Sequence, residues 1–176
     1  MSWQRHNRRT VLTAPGLAVH QDQVTRPDGR PGEVWITQQQ DGAMIVPMDD
    51  RGRVGMVRSA TYVYGEVVTS PGGRVEQGES PEDAGRRELR EEAGITAREW
   101  TALGSVALMT LSTARLHVFL ARDLTLGKQR LTSSEFGMTL EWWSLPDAVD
   151  AAYDGRLTLA GASLGILMAA HHLKAD

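Results

Sequence analysis

Three glutamates, Glu88, Glu91 and Glu92, carry the clearest chemical signal in the sequence. Their spacings of three and four residues place all three carboxylates on one side of a helix, within reach of one point. Like charges at these spacings repel, whereas a solvated helix normally mixes its signs. A hard cation such as Mg²⁺ binds carboxylate oxygens. Taken alone, the three glutamates are more simply interpreted as a surface cluster that the arginines within 86–90 neutralise, and the neighbouring loop tips the balance towards a metal site.

A glycine-rich segment, Ser70–Glu79, lies shortly before these glutamates. Gly72 and Gly73 lack a Cβ, so the backbone there can approach a ligand closely and present carbonyl oxygens to it. Mg²⁺ usually takes about six oxygen ligands, drawn from one or two carboxylates, waters and substrate phosphates. A glycine-rich loop by itself is a common turn, but one that faces helix glutamates predicts a site of this kind.

The helix that must position the glutamates has well-marked ends. Ser80 suits the N-cap and Pro81 the first helical position. Gly94 can end the helix in a left-handed conformation, after which Ile95 folds back onto Leu89. The sequence therefore predicts a helix over Pro81–Ala93.

The same residues carry a resemblance to a known family. Gly73, then Glu79 six residues later, then the run Arg87–Ile95 match the Nudix box without a gap. A chance match of its seven fixed and two aliphatic positions is on the order of 10⁻⁹ per starting position. The sequence thus resembles the Nudix hydrolases. The resemblance implies one α+β domain over residues 1–176, an α/β/α sandwich with a mixed central sheet and an N-terminal β-hairpin.

The resemblance also implies a metal site. Glu88 and Glu92 correspond to direct ligands of Mg²⁺, with Mn²⁺ as a possible substitute, and Glu91 to a ligand that often acts through water. The backbone carbonyl of Gly72, just before the box, corresponds to a further ligand. The activity implied is Mg²⁺-dependent hydrolysis of a nucleoside diphosphate linked to another group.

Two supporting roles follow from the same match. Arg87 and Glu79 correspond to a pair that orients the catalytic helix, and such pairs hold ligands in place without touching the metal. Gly73 begins the box and is expected to contact the substrate.

Several segments outside the box resemble the ADP-ribose pyrophosphatase branch of the family, which favours ADP-ribose or a nucleotide sugar as substrate. Two positions depart from that branch: Thr61 stands where an arginine is usual, and Thr69 where a glutamate is usual. Arg58 could replace the arginine, or it could be a strand-end surface charge. Trp35 could stack on a base, although a tryptophan in a strand is more often packing.

Enzymes of this kind often need one more carboxylate, delivered by a mobile loop. Thr132–Gly137 is rich in loop formers, and its acidic residue is Glu135. We therefore predict Glu135 as a residue that binds a metal or accepts a proton from the attacking water. Glu141 is the alternative, although it falls within a predicted strand and would be harder to move.

Turn formers and alternating apolar residues indicate the remaining elements. The predicted strands are Leu17–Val24, Glu33–Thr37, Ala43–Met48, Arg53–Arg58, Tyr62–Tyr64, Val67–Thr69, Thr101–Thr110, Leu116–Ala121 and Thr139–Ser144. The predicted further helices are Pro146–Asp154 and Leu159–Lys174.

The composition limits the classes of partner that the protein is expected to bind. The net charge is −3 and no basic block stands out, so long nucleic acid is a poor candidate. The mildly basic stretch Arg5–Arg9 is predicted to be a solvated or frayed terminus. Ser105–Ala121 is apolar but interrupted by charged and polar residues, and no membrane contact is expected. The absence of cysteine and of an apolar signal core favours a cytoplasmic protein.

Relatives in the ADP-ribose branch pair through N-terminal strands, so the resemblance implies a homodimer built on the predicted hairpin Leu17–Thr37. A two-stranded unit is marginal alone in water, which agrees with a need for a partner surface.

Two other functions agree less well with the sequence. A Nudix-like sensor that binds a nucleotide without cutting it would usually have lost box glutamates, and none is lost here. A scaffolding domain would not need a self-repelling glutamate cluster.

Overall fold

The computed structural model describes residues 2–175. Its elements, in chain order, are strands β1 (Gln4–Ala14), β2 (Leu17–Thr25), β3 (Pro31–Gln39), β4 (Gly42–Pro47), β5 (Arg53–Thr61), β6 (Gly65–Thr69) and β7 (Gly72–Arg74), helix α1 (Pro81–Ala93), strands β8 (Ile95–Ala107), β9 (Arg115–Leu126) and β10 (Thr139–Ser144), and helices α2 (Leu145–Asp154) and α3 (Ala160–Ala175). They form two compact units, one made of the residues up to Asp41 with Val106–Arg115, the other of Gly42–Ser105 with the residues from Leu116 on.

The first unit contains an antiparallel sheet in the order β1-β2-β3. The predicted hairpin forms as β2 and β3, and β1 adds a third strand to it. The stretch Arg5–Arg9, predicted to be a solvated or frayed terminus, lies within β1, where it is largely exposed but not frayed. The charged strand is held by cross-strand pairs, because Arg8 opposes Asp22 in register and donates to its carboxylate at 2.7 Å through two nitrogens. Segment 106–115 joins this unit through the amide of Thr37, which donates to the Leu111 carbonyl at 2.8 Å.

The second unit contains two sheets. One has the order β10-β5-β6 with antiparallel pairing, and the other has the order β7-β4-β9-β8. Strand β4 runs parallel to β9 and antiparallel to β7, so the second sheet is mixed. Successive residues of a strand point to opposite faces. Val46 accordingly packs in a core with α2 and α3, whereas its neighbour Ile45 packs in a core with Leu89 of α1.

This arrangement confirms the predicted fold class, an α+β protein whose sheets have helices on both sides. Met56 and Val57 of β5 repeat the alternation seen on β4, one facing α2 and α3 and the other facing α1. Helix α1 contacts β4, β7, β5 and β10, so the predicted box helix is docked on strands from both sheets. No helix among the described residues is long and apolar enough to span a bilayer.

Four predicted elements need correction. Tyr62–Tyr64 is a turn, since it joins the antiparallel strands β5 and β6, whose pairing runs to Thr61↔Gly65. The predicted loop at Ser70–Gly73 contains the start of β7, because Gly72–Arg74 pairs with β4. Strand β8 begins at Ile95, directly after the helix cap, and ends at Ala107 rather than Thr110. Strand β9 continues to Leu126, five residues beyond the predicted end.

Candidate active site

Helix α1 forms as the sequence predicts. The Ser80 side chain accepts the amide of Asp83 at 3.1 Å, and Gly94 ends the helix at φ 66° with its amide directed to the carbonyls of Leu89 and Arg90. Leu89 and Ala93 are buried against the strands. Because 88 and 92 lie one residue before these apolar positions, both glutamates sit at the edge of the buried face, and each is only 8% exposed.

Strand β7 brings the glycine backbone against these carboxylates. The Gly72 amide donates to Oε2 of Glu92 at 2.8 Å. A Cβ built on Gly73 would overlap the Glu88 carboxylate, and one on Gly72 would overlap the carbonyl of Ala43. Gly72 therefore requires glycine for its close approach to the neighbouring strand, whereas a side chain at Gly73 would displace the Glu88 carboxylate. The predicted encounter of this segment with the helix glutamates is present.

The Arg87 guanidinium connects the box. It donates to both oxygens of Glu79, at 3.1 and 3.0 Å, and to the backbone carbonyl of Arg74 at 2.9 Å. It also contacts Glu88 at 2.7 Å and Glu91 at 3.4 Å. A planar fork with five donors suits this shared role better than a lysine ammonium would. The expected pair of Arg87 with Glu79 is formed, and it fixes the segment 74–79 to the helix.

Burial controls the charge state of the site. Removal from water raises the pKa of Glu92 to about 8, with repulsion from Glu88, Glu135 and Glu91 adding to the effect and the Gly72 amide opposing it. Burial likewise raises the pKa of Glu88, against the attraction of Arg87. The hydrogen bonds from Arg87 lower the pKa of Glu79. Carboxylates that are hard to ionise next to one another are typical of sites that receive a cation.

The donor set fits a hard divalent cation. Glu88 and Glu92 supply carboxylate oxygens, and the Gly72–Gly73 backbone passes directly beside them. Within residues 2–175, however, no three acidic, histidine or cysteine side chains already converge as a metal site. Glu91 is only half-buried and is engaged by Arg87. A complete coordination sphere would therefore draw on the backbone carbonyl, waters and substrate oxygens as well as side chains.

Glu135 lies within electrostatic reach of this cluster, since its charge contributes to the raised pKa of both Glu88 and Glu92. It ends a short 3₁₀ helix, Ser133–Glu135, inside the predicted loop. Its Oε2 accepts the amide of Thr132 at 2.8 Å, which fixes the orientation of the carboxylate. The structure thus brings the predicted extra carboxylate towards the box helix.

The alternative carboxylate, Glu141, is held elsewhere. It accepts from Arg58 at 2.5 and 3.2 Å and from the Trp143 indole at 3.0 Å. Arg58 also donates to Glu66 at 2.8 Å, so this arginine is shared between two carboxylates. The ion pair lowers the pKa of Glu141. Both side chains are committed to a cross-strand network, which supports the surface-charge interpretation of Arg58.

Trp35 lies on β3 in the first unit, with 48% of its surface exposed. It opposes Gln21 in the register with β2. Exposure to this extent disagrees with simple packing inside the sheet, and its use in base stacking stays a prediction.

Sequence reasoning missed Gln129. Its side-chain amide donates to the backbone carbonyl of Glu92 at 2.5 Å and to that of Met138 at 3.4 Å. The sequence holds no signal for such a contact, because both acceptors are backbone groups that every residue type carries.

Comparison with known proteins agrees with this geometry. The family model described as "NUDIX domain" matches residues 38–160, more than two thirds of the chain. An ADP-ribose pyrophosphatase of Mycobacterium tuberculosis is 30% identical over 162 residues, which is 90% of this chain and 78% of that protein. An ADP-ribose pyrophosphatase of Bacillus subtilis is 27% identical over 135 residues, or 74% of this chain and 73% of that protein.

A third relative has a different printed activity. The CMP-5'-(N-acetyl-N-hydroxy-3-aminopropyl)phosphonate hydrolase of Streptomyces rubellomurinus is 28% identical over 173 residues, 95% of this chain and 82% of that protein. Among solved structures, one described as an ADP compounds hydrolase matches with a TM-score of 0.87, covering 99% of this chain and 96% of its own at 19% identity. At that identity the likeness shows the fold alone.

Proposed function

The chain belongs to the Nudix family, and on that premise we propose that it hydrolyses the diphosphate linkage of ADP-ribose or of a closely related nucleoside diphosphate derivative. One observation carries the proposal: the buried carboxylates of Glu88 and Glu92 lie against the Gly72–Gly73 backbone. Two relatives named as ADP-ribose pyrophosphatases support the choice of substrate.

We assign the cation site to Glu88 and Glu92, with the Gly72 carbonyl as a further ligand and Glu91 acting through water. Mg²⁺ is the preferred ion and Mn²⁺ a substitute, because both favour oxygen ligands. A divalent ion bound there would neutralise the diphosphate oxygens and make a nearby water more acidic. The raised pKa of Glu92 supports this assignment, since a cation favours the ionised form that burial disfavours.

Arg87 of the box acts on positioning, and Glu135, outside the box, acts on proton transfer. Arg87 holds Glu79 and the Arg74 carbonyl, which keeps the segment after β7 fixed to α1, the helix that carries Glu88 and Glu92. Glu135 is our candidate to accept the proton of the attacking water. The Thr132 amide occupies its Oε2, so Oε1 would receive that proton as water adds to phosphorus and the P–O–P linkage breaks.

The substrate has a second candidate. One relative acts on a CMP-linked phosphonate, and it matches nearly the whole chain. Thr61 and Thr69 stand where the ADP-ribose branch usually carries an arginine and a glutamate. Thr61 donates its hydroxyl to the Gly65 carbonyl at 3.1 Å across the β5–β6 turn, so it shapes the turn and offers no cation to a phosphate. These features make a cytidine nucleotide the alternative to ADP-ribose.

A substrate panel tests the proposal. Purified protein with Mg²⁺ is assayed against ADP-ribose, ADP-glucose, UDP-glucose, CDP-choline and a CMP-linked phosphonate, and the released mononucleotide is measured. We expect the highest kcat/KM for ADP-ribose. A CMP-linked compound at least tenfold better would move the chain to the alternative, and no turnover of any nucleotide would reject hydrolysis.

We also propose that the protein is a homodimer that pairs through its first unit. Several large apolar side chains of that unit are about half exposed or more, among them Trp3 at 58%, Leu12 at 48% and Trp35 at 48%. Exposed aromatic residues are enriched at protein interfaces. The antiparallel sheet β1-β2-β3 offers the rigid surface that such pairing requires.

A further inference from the structure

The segment that carries Glu135 is hydrogen-bonded to the end of the box helix. The Gly127 amide donates to the Gly94 carbonyl at 2.6 Å, and the Arg130 amide donates to the Glu91 carbonyl at 2.8 Å. A Cβ on Gly94 would overlap backbone atoms of residues 127–129, so the two backbones lie in close contact. The segment between β9 and β10 therefore starts in contact with the last turn of α1.

Gln129 adds a side-chain connection to these backbone bonds. Its Nε2 donates to the carbonyl of Glu92 on α1 and to the carbonyl of Met138, the last residue before β10. One amide group thus joins the box helix to the far end of the loop. Glu135 lies between these two attachments, and its own carbonyl accepts the Met138 amide at 2.9 Å.

The acceptor on α1 explains why such a residue is needed. The last carbonyls of a helix lack intrahelical donors and must find other partners. The Gly94 cap donates to Leu89 and Arg90, and Arg130 donates to Glu91, so Gln129 completes the series at Glu92. The carbonyl that accepts from Gln129 belongs to Glu92, the residue whose side chain we assign to the cation site.

Resting on the proposed function, we propose that Gln129 is a positioning residue, which holds the Glu135 loop to the Glu92 end of the box helix so that both carboxylates face one substrate. The Nε2 of Gln129 donates to two backbone carbonyls, so the role proposed for it is to hold the loop and not to act on a reacting atom. It acts through Glu135. The competing explanation is a purely structural cap, which would support the helix end without affecting where Glu135 lies.

Kinetics separate the two explanations. Gln129→Met keeps an unbranched side chain of similar length and removes both donors. We expect kcat to fall about 10–100-fold, the usual cost of losing a residue that orients a catalytic group, with KM changed less than threefold. Lys128→Met is the matched control: Lys128 is the exposed neighbour, and this variant should keep the wild-type rate. Gln129→Asn retains an amide that is one methylene shorter, and it should lose less activity.

A double-mutant cycle adds the decisive comparison. If Gln129 acts through Glu135, Gln129→Met should have little further effect on kcat once Glu135→Gln is present, because groups that act as a unit are strongly non-additive. An undiminished loss in that background would overturn the positioning role. If the Met variant does not fold, the same cycle with Gln129→Asn decides the matter.

Hydrogen exchange gives a readout that needs neither metal nor turnover. In the metal-free protein, Gln129→Met should speed exchange of the amides at 130–138 about fivefold, the effect of losing one typical hydrogen bond. The amides of β5 should be unchanged. Unaltered exchange at 130–138 would show that Gln129 does not hold the Glu135 loop to the box helix. If the wild-type protein hydrolyses no nucleotide, the proposed function is rejected. The exchange result would still test whether Gln129 connects the Glu135 loop to the box helix.

Discussion

Oε2 of Glu92 accepts the backbone amide of Gly72 at 2.8 Å, which ties the box helix to strand β7 through a carboxylate that is only 8% exposed. The amide stabilises the ionised form, but burial outweighs it and raises the pKa of Glu92. A carboxylate in this balance is sensitive both to pH and to a nearby cation.

The stability of the metal-free protein should fall as pH rises. Burial raises the folded-state pKa of Glu92 from an ordinary 4.5 to about 8. The folded state then binds the proton more tightly, so this contribution is complete below about pH 4.5 and is lost as pH rises through 8. Thermal unfolding in EDTA should therefore give a lower Tm at pH 8.5 than at pH 6, and Mg²⁺ should raise Tm most at pH 8.5.

Glu92→Gln is the control for this pH effect. The variant should show a flatter Tm profile between pH 6 and 8.5, because the titrating group is gone. Asp22, the buried carboxylate of the first unit, does not contribute to the change in Tm between pH 6 and 8.5. Its hydrogen bond from Arg8 lowers its pKa below 3.8, so it titrates only at acid pH. A metal-free Tm that rises over this range in the wild type would contradict the assignment.

Gly73→Ala should reduce activity sharply. The added Cβ would overlap the Glu88 carboxylate, so that side chain must leave its place beside the glycine backbone. A displacement of about 1 Å at a catalytic group can cost on the order of 10²-fold in rate. Steady-state kinetics should show the loss in kcat, with circular dichroism unchanged.

Gly165→Ala is the matched glycine control. Its Cβ would meet Val46 at 3.4 Å, an ordinary contact, within helix α3. Alanine is favoured over glycine inside a helix by about 0.5–1 kcal/mol, so this variant should be as stable as the wild type or more so, and fully active. Equal activity of the two variants would mean that Glu88 is not needed where it lies.

The two candidate carboxylates outside the box should respond differently. Glu135→Gln should lower kcat by about 10²–10⁴-fold, as expected for the loss of a proton acceptor. Glu141→Gln should leave kcat near the wild-type value, because Glu141 is held by Arg58 and Trp143. Its stability cost should stay within about 1 kcal/mol, as is usual for a partly exposed ion pair. A normal rate in the first variant with a collapse in the second would transfer the role to Glu141.

The oligomeric state should be dimeric. Multi-angle light scattering at micromolar concentration should give twice the 19.3 kDa chain mass. Trp35→Lys should weaken the dimer, because it places a charge on an exposed apolar surface of the first unit. Tyr153→Lys, at an exposed aromatic residue of the second unit, should not. A wild-type protein that scatters only as a 19.3 kDa species would contradict the proposed homodimer.

The parts of the fold that could be predicted are those with local signals. Helix Pro81–Ala93 was predicted to the residue, because Ser80, Pro81 and Gly94 mark its ends with side-chain and backbone chemistry of their own. Strand Thr139–Ser144 was also predicted to the residue. Strand β1 was missed because Gln4–Ala14 is nearly all exposed, so it shows no buried alternation, and it is held by cross-strand partners such as Asp22.

The candidate site likewise contains contacts that the sequence predicts and contacts that it does not. The contact of Arg87 with Glu79 and the approach of Gly73 to Glu88 follow from the box, and both are present. The connection through Gln129 depends on a backbone carbonyl 37 residues away in sequence, which no residue pattern encodes. The engagement of Arg58 by Glu66 and Glu141 likewise follows from the register of three strands, and the sequence alone left that arginine open to a substrate role.

The most direct test of the account is ADP-ribose hydrolysis by the wild type beside Glu92→Gln. Water added across the P–O–P linkage gives AMP and ribose 5-phosphate, which chromatography resolves. The wild type should form both products with Mg²⁺ and neither in EDTA, and Glu92→Gln should be folded but slower by at least about 10²-fold. Hydrolysis that persists in EDTA, or that proceeds at the wild-type rate in Glu92→Gln, would contradict a metal site built on the box glutamates.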